Sequence, residues 1–276
     1  MGEFDSPSRI ARQHYRELDR PSAEASYNAE LNRFNPYFDE VRELLPKEKW
    51  EEIWNKFVKI QIEDLDMEDG IEPEDYARQA AALRDFNQDY FDGNYQMDDR
   101  IWRHLVYDLK ASTDDAEDFL NFAVNLKTID PVRFDKELKD SVKKMMPRIL
   151  ALLLENSHIF IDFIDLYARA VKLDEQEIRR LYPIPQDQWQ EMAGNVLSIN
   201  DTGGDPGFIM SNVQFMRPPQ AQPRLAATAK NWATYKGLLQ KDVDKGRFDE
   251  FLDMARHLKT LEVKFPKNSG LRRMGR

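Results

Sequence analysis

Residues 152–175 read LLLENSHIFIDFIDLYARAVKLDE and contain the most apolar part of the chain. Their apolar side chains cover nearly every direction around a helix, which predicts a central helix that forms the spine of the fold. Four ionisable residues interrupt the stretch, and at about 100° per residue they fall within one arc of roughly 80°. These are Glu155, His158, Asp162 and Asp165. The arc is either a reaction site or the solvated edge of a structural helix.

The spacing Glu155-x-x-His158 is the one with which di-iron helical bundles direct a Glu and a His to the same metal. Such a centre needs two motifs of this kind and two further glutamates. The other histidines follow Ala11, Ile101 and Met254 at the same distance, so the second motif is missing. The sequence therefore gives the metal interpretation little support.

The same arc continues to Arg169 and Lys172. The pair Asp165 and Arg169 has the i,i+4 spacing that stabilises an exposed helix by about 0.2–0.5 kcal/mol. We interpret the arc as a solvated edge, with contact to a partner as the alternative. On this interpretation one group of residues is buried, namely Phe160, Ile161, Phe163 and Ile164, and another shares an exposed edge, namely Asp162, Asp165 and Arg169.

Composition favours a helical protein with a core of its own. The chain has 276 residues, of which 41% are hydrophobic and 33% charged, and it contains only 11 glycines. This balance predicts one large or two small domains and suits helices better than a sheet with many turns. The formal charge of −10 argues against a general affinity for nucleic acid or anionic membranes, although a local basic patch is compatible with it.

The cellular location is predicted from what the sequence lacks. It has no cysteine, which excludes disulfides, thiolate metal ligands and cysteine nucleophiles and suits a reducing compartment. The longest apolar run, Ile149 to Leu154, has six residues, whereas a spanning helix needs about 20. With no signal peptide visible, we expect no membrane insertion and an intracellular location, cytoplasmic or nuclear.

Apolar residues at spacings of three and four predict about ten helices and no significant sheet, so the expected fold is an all-α irregular multi-helix array or bundle. Pro73 and Pro131 suit the first turn of a helix, whereas Pro147 is expected to kink or divide one. No repeat period is present that would indicate a solenoid.

The chain is predicted to have five parts. The start MGEF resembles a cloning scar, which suggests that the sequence begins inside a longer protein. The parts are a mobile arm at 1–26 with the scar at 1–4, a main helical domain at 27–199, a Gly/Pro-rich linker or long loop at 200–223, a helical hairpin at 224–263 and a basic tail at 264–276.

An acidic loop at 63–75 superficially resembles a calcium loop. Asp64, Asp66, Glu68 and Asp75 stand at ligand positions of such a loop. Asp69, however, occupies the position where the sharp turn needs a glycine. The alternative is an acidic, solvated loop that contacts other proteins.

The basic tail is the remaining candidate contact. Lys264, Lys267, Arg272 and Arg273 suit a phosphate backbone or an acidic partner, and the alternative is a tail that only aids solubility. The glycine-rich stretch NDTGGDPG lacks the lysine and hydroxyl that complete a nucleotide-binding loop.

With no catalytic constellation in the sequence, we expect a non-enzymatic helical module or scaffold for protein–protein interaction, without a cofactor and part of a larger protein or assembly. A nucleic-acid-associated protein that uses the tail is the first alternative, for example one acting in replication, transcription or virus assembly. A carboxylate-based metal-binding helical protein is the second. Oligomeric state is left open by the sequence.

Overall fold

A computed structural model describes residues 35, 37–65, 70–158, 160–199, 212–213, 216, 227–261 and 263–264. In these ranges the chain forms fourteen α-helices, one 3₁₀ turn at Ser112–Asp114 and one pair of two-residue strands, which confirms the all-α prediction. The helices are α1 (Phe38–Arg42), α2 (Lys47–Phe57), α3 (Ile62–Leu65), α4 (Pro73–Phe86), α5 (Gln88–Asn94), α6 (Asp99–Ala111), α7 (Ala116–Ile129), α8 (Pro131–Glu137), α9 (Lys139–Glu155), α10 (Phe160–Leu173), α11 (Glu175–Leu181), α12 (Gln186–Ile199), α13 (Ala229–Asp244) and α14 (Phe248–Lys259), and the strands are β1 (Ala227–Thr228) and β2 (Val263–Lys264).

The centre of the array is the packing of α4 on α7. Helix α4 also contacts α14, while α7 contacts α9 and α10. The small residues Ala77, Ala80 and Ala81 are fully buried on α4, and Phe119 and Leu120 are fully buried on α7. Because alanine lets a neighbouring helix approach closely, the larger side chains of the partner helices fill the space beside α4. The apolar stretch of α10 therefore packs on the centre of the array.

Aspartate side chains begin several of these helices. Asp98, Asp115 and Asp130 each accept a hydrogen bond from a backbone N–H in the first turn of the following helix. Such a cap satisfies donors that have no partner inside the helix. Pro73 and Pro131 are the first residues of α4 and α8, as the sequence predicts.

The single helix predicted over 152–175 is wrong, because α9 ends at Glu155, a turn follows at 156–158, and α10 begins at Phe160. The Asn156 Nδ2 donates to the carbonyl of Leu152 at 2.9 Å, and the Ser157 Oγ donates to the carbonyl of Leu154 at 2.7 Å. The carbonyl of Leu152 also accepts the backbone N–H of Asn156 at 3.1 Å, whereas the backbone N–H of Ser157 donates to the carbonyl of Leu154, three residues back, at 3.3 Å. The α-helical bonding pattern therefore ends between Asn156 and Ser157, and the two side chains add bonds to carbonyls of the last turn.

Pro147 was predicted to kink or divide its helix; division is wrong, and the kink stays a prediction. Helix α9 continues through Pro147, and the division lies earlier, at Leu138 between α8 and α9. The carbonyl that Pro147 leaves without its helical donor belongs to Lys143. Both residues are exposed, so water can satisfy that carbonyl.

The last two described helices form a hairpin whose ends are joined. Gly246, with a φ of 69°, provides the left-handed turn between α13 and α14. At the other end β1 and β2 pair in parallel, with Ala227 opposite Val263 and Thr228 opposite Lys264. Within the described ranges, no helix combines the length and the apolar character needed to cross a bilayer.

Candidate functional site

The ionisable arc of the opening stretch is split between two helices. Glu155 is the last residue of α9, His158 lies in the following turn, and Asp162 and Asp165 lie on α10. Glu155, His158 and Asp162 are exposed. The described residues contain no group of three or more His, Asp or Glu side chains placed to hold a metal ion.

The prediction that Asp165 lies on an exposed edge is wrong, because its side chain is mostly buried. It forms an ion pair with Arg169 and accepts a hydrogen bond from Asn212 Nδ2 at 3.0 Å. Burial raises the pKa of Asp165, and the charges of Arg169 and Lys172 only partly oppose this effect. Asp165 is therefore a mostly buried, paired carboxylate and not part of an exposed edge.

The predicted burial of the apolar residues on α10 is confirmed for Phe163 and Ile164 and is wrong for Ile161. The side chain of Phe160 lies outside the described residues. Ile161 lies in the first turn of the new helix that begins after the break, and its side chain is 49% exposed.

A group of charged side chains lies between α4, α10 and α14. We call it the Asp85 cluster and define it by Asp85, Asp165, Arg169, Lys172, Arg256 and Lys259. Asp85 Oδ2 accepts from Arg256 Nε at 3.1 Å, and Asp85 Oδ1 accepts from Lys259 Nζ at 3.3 Å. Arg256 also donates to Asn125 Oδ1 at 3.1 Å, which ties α14 to both α4 and α7.

The pKa of Asp85 reports the balance of burial and charge in this cluster. Burial alone would raise that pKa, but Lys259, Arg256 and Lys172 outweigh it and hold the pKa below its ordinary value. Asp85 is therefore a carboxylate that the surrounding cations keep ionised.

Desolvation and the neighbouring positive charges lower the pKa of basic groups in and beside the cluster. Lys172 is exposed by accessible area, yet desolvation by the surrounding protein, followed by the charge of Arg256, lowers its pKa to about 8. Desolvation, followed by Lys172, Arg256 and Arg169, also lowers the pKa of His257 well below its usual range, which makes this imidazole neutral at pH 7.

The Asp85 cluster was missed in the sequence, although the register of the helices contains a signal for it. Asp85 lies four and eight residues after the buried Ala81 and Ala77, so it shares the inward face of α4. Lys259 lies four residues after the buried Ala255 on α14. A charged residue on an apolar face indicates a buried partner, but the partner's identity needs the packing of α4 against α14.

The corner between α9 and α10 carries exposed apolar side chains. We define the corner surface by Leu154 and Glu155 at the end of α9 and Ile161 and Asp162 at the start of α10. Leu154 is 60% exposed and Ile161 is 49% exposed. The carboxylates of Glu155 and Asp162 lie beside them in the sequence and are also exposed.

The predicted calcium ligands that can be located form local bonds. Asp64 Oδ2 accepts from the backbone N–H of Gln61 at 2.6 Å, and Asp75 pairs with Arg78 at 3.0 Å. Asp66 and Glu68 lie outside the described residues. The favoured interpretation, a solvated acidic loop, stays a prediction, and calcium binding stays its untested weaker alternative.

Most of the predicted basic tail also lies outside the described residues. Lys264 pairs through its backbone in β2, and Lys267, Arg272 and Arg273 are not in the described ranges. Tail binding to nucleic acid or to an acidic partner stays a prediction.

Three residues of the predicted linker at 200–223 can be placed, and all three are buried, namely Asn212, Val213 and Met216. The indole Nε1 of Trp189 donates to the carbonyl of Val213 at 3.0 Å. These positions pack with the helices that precede them. The remainder of 200–223 lies outside the described residues, and its role as a linker stays a prediction.

The fold defines the class of protein as an all-α multi-helix array. No family model matches the chain, and comparison with curated proteins and with solved structures gives no match. The corner surface and the Asp85 cluster are the two features of the described residues that bear on function.

Proposed function

We propose that the chain is a non-enzymatic protein–protein interaction module, part of a larger assembly, which binds its partner through the corner surface. The observation that carries this proposal is the exposure of Leu154 and Ile161 on either side of one turn. Leu154 lies in the last turn of α9 and Ile161 in the first turn of α10. Both are held by helices that pack on the core, so the surface is arranged before binding.

The apolar part of this surface supplies a modest but measurable affinity. Complete burial of a Leu or Ile side chain contributes about 1.5–3 kcal/mol. Because about half of each side chain is still in water, covering both contributes roughly 2 kcal/mol, or about 30-fold in affinity.

The charges around the corner indicate the chemistry of the partner. Glu155 and Asp162 are exposed, and the chain as a whole has a formal charge of −10. The complementary surface is an apolar patch flanked by Lys or Arg, and its association is faster at low ionic strength.

The test compares two double variants of equal charge. Leu154→Glu with Ile161→Glu alters the corner surface, whereas Tyr107→Glu with Val132→Glu alters two other exposed apolar side chains. Each variant is used to capture proteins from an extract, and the affinity of each captured protein is then measured with purified components.

We expect a partner whose affinity falls about 30-fold or more with the corner variant and is unchanged with the control. Equal affinity for both variants would overturn the role of the corner surface. Salt-dependent binding of labelled DNA or RNA that is lost on deletion of 264–276 would instead support the nucleic-acid alternative.

A further inference from the structure

Asp92 and Gly93 form an Asp–Gly pair in the last turn of α5, and both residues are exposed. The carboxyl carbon of an aspartate can be attacked by the backbone nitrogen of the next residue, which closes a cyclic imide, a succinimide. Glycine as the next residue favours this attack, because it has no Cβ beside the nitrogen and lets the backbone turn. The pair is therefore a chemically labile point in α5.

Two features of the fold oppose this reaction, and the first is the helix itself. The nitrogen of Gly93 belongs to the backbone of α5, where each amide donates along the helix axis to the carbonyl four residues earlier. Ring closure requires this nitrogen to turn towards the side chain of Asp92. Helix α5 ends at Asn94, one residue after Gly93, so fraying of its last turn releases the nitrogen.

The second feature is the side chain of Arg84, which holds both carboxylate oxygens of Asp92. Arg84 Nε donates to Asp92 Oδ1 at 2.7 Å, and Arg84 Nη2 donates to Asp92 Oδ2 at 3.0 Å. The remaining nitrogen, Nη1, donates to the carbonyl of Thr128 on α7 at 2.5 Å, and the Arg84 side chain is only 18% exposed. A guanidinium anchored in this way fixes the plane of the carboxylate as well as its position.

We infer that Asp92 is a site of spontaneous isomerisation to isoaspartate and that Arg84 controls its rate. A bond forms between Asp92 Cγ and the nitrogen of Gly93, while one carboxylate oxygen leaves as water with the amide proton and a proton from solvent. Water then opens the ring at either carbonyl and returns a proton to solvent. One product is the original aspartate, and in the other the main chain runs through the side-chain carbonyl. Water is the only co-reactant, and the corner surface takes no part.

The modification reaches the core through the residue that precedes Asp92. Isoaspartate adds one atom to the main chain directly after Phe91, which is buried. The centroid of the Phe91 ring lies 5.8 Å from that of Trp54 and 4.9 Å from that of Tyr95. The carboxylate also moves to the main-chain Cα and leaves the fork of Arg84. We therefore expect the modified chain to be less stable than the original one.

The experiment incubates the folded full chain near neutral pH and measures isoaspartate at position 92 over time. Peptide mapping with electron-transfer fragmentation distinguishes the two isomers. Arg84→Gln removes the fork, and Arg84→Lys keeps the charge without the fork. Gly93→Ala hinders the attack, and the fold accepts it because a Cβ at Gly93 would meet no atom within 4 Å and its φ is not positive. Leu105→Ala controls for general destabilisation, since Leu105 is fully buried on α6 and leaves Arg84 intact.

We expect isoaspartate to form in the wild type, about fivefold faster in Arg84→Gln, and more slowly than wild type in Gly93→Ala. The rate in Arg84→Lys lies between wild type and Arg84→Gln, because an ammonium holds the carboxylate at one point. Leu105→Ala stays near the wild-type rate while circular dichroism shows it folded. The inference is overturned if Arg84→Gln reacts at the wild-type rate, if Leu105→Ala reacts as fast as Arg84→Gln, or if neither the wild type nor Arg84→Gln forms isoaspartate at position 92.

Discussion

Replacement of Asp85 by Asn removes one negative charge from beneath two cations without changing the size of the side chain. Arg256 and Lys259 would then keep their positions against the core with no carboxylate between them. Loss of one partner of a buried ion pair is costly because the remaining charge is desolvated and uncompensated. We therefore expect Asp85→Asn to destabilise the fold.

The structure sets the size of this effect. Breaking a fully buried pair costs about 3–5 kcal/mol. The side chains of Asp85 and Arg256 are 22% and 18% exposed, so some solvent compensation remains. Lys259 is buried and loses the same partner. The lower end of the range applies, and the free energy of unfolding should fall by about 3 kcal/mol.

Urea unfolding followed by circular dichroism at 222 nm measures this change. Asp253→Asn is the control, because Asp253 lies on the same helix as Arg256 and pairs with Arg78 at 3.0 Å on the exposed surface. An exposed pair contributes at most about 1 kcal/mol. A decrease for Asp85→Asn no larger than that for Asp253→Asn would refute the reasoning.

The pH dependence of the free energy of unfolding gives a second check, on the charge state of Asp85. The folded pKa of Asp85 lies below its unfolded value, so its contribution is complete above the unfolded pKa of about 3.9. It is lost as the pH falls through the lower folded pKa. The stability difference between wild type and Asp85→Asn should therefore shrink below about pH 4, and a difference that grows there contradicts the assigned charge state.

Three further predictions concern the core, α9 and a buried phenol. Leu105→Ala, at a fully buried position, should lower the free energy of unfolding by about 2–5 kcal/mol, whereas the exposed Leu154→Ala should change it by less than about 0.5 kcal/mol in the same urea assay. Pro147→Ala should raise the urea midpoint by an amount equivalent to about 1–2 kcal/mol, because it restores a helical N–H; a lower midpoint would show that proline is preferred there. Burial raises the pKa of Tyr167 to about 12, with Tyr167 donating to the carbonyl of Tyr182 at 2.9 Å, and burial also raises the pKa of Tyr76 and of Tyr95. Ultraviolet titration should show several tyrosines ionising late and one fewer in Tyr167→Phe; the stabilisation from Tyr167 is present below about pH 10 and lost as the pH rises towards 12.

Local patterns in the sequence predict the start of most helices but fewer of their ends. Asp98, Asp130, Pro73 and Pro131 act through neighbours within one turn, so their roles can be inferred from the sequence alone. The break after α9 is equally local, yet Asn156 and Ser157 are compatible with a helix in isolation. Only the observed bonds to preceding carbonyls show that the chain turns there.

Patterns within one helix do not predict the Asp85 cluster, because the residues that pair in it are far apart in the sequence. Asp85 and Arg256 are separated by 171 residues, and Asp165 and Asn212 by 47. Helical spacing correctly places Asp165 and Arg169 next to each other, but the decision between exposed edge and interior depends on what packs against α10. Residue Asn212 supplies part of that cover from a segment predicted as a linker.

The strand pair β1–β2 also has a mechanical meaning. Because the strands are parallel, the chain enters at one end of the pair through Ala227 and leaves at the other end through Lys264. Tension applied between these points pulls the strands past each other, so it loads their hydrogen bonds in shear and they must fail together. We therefore expect the strand pair to carry the force first. The turn at Gly246 and helices α13 and α14 would carry it only after the two strands separate.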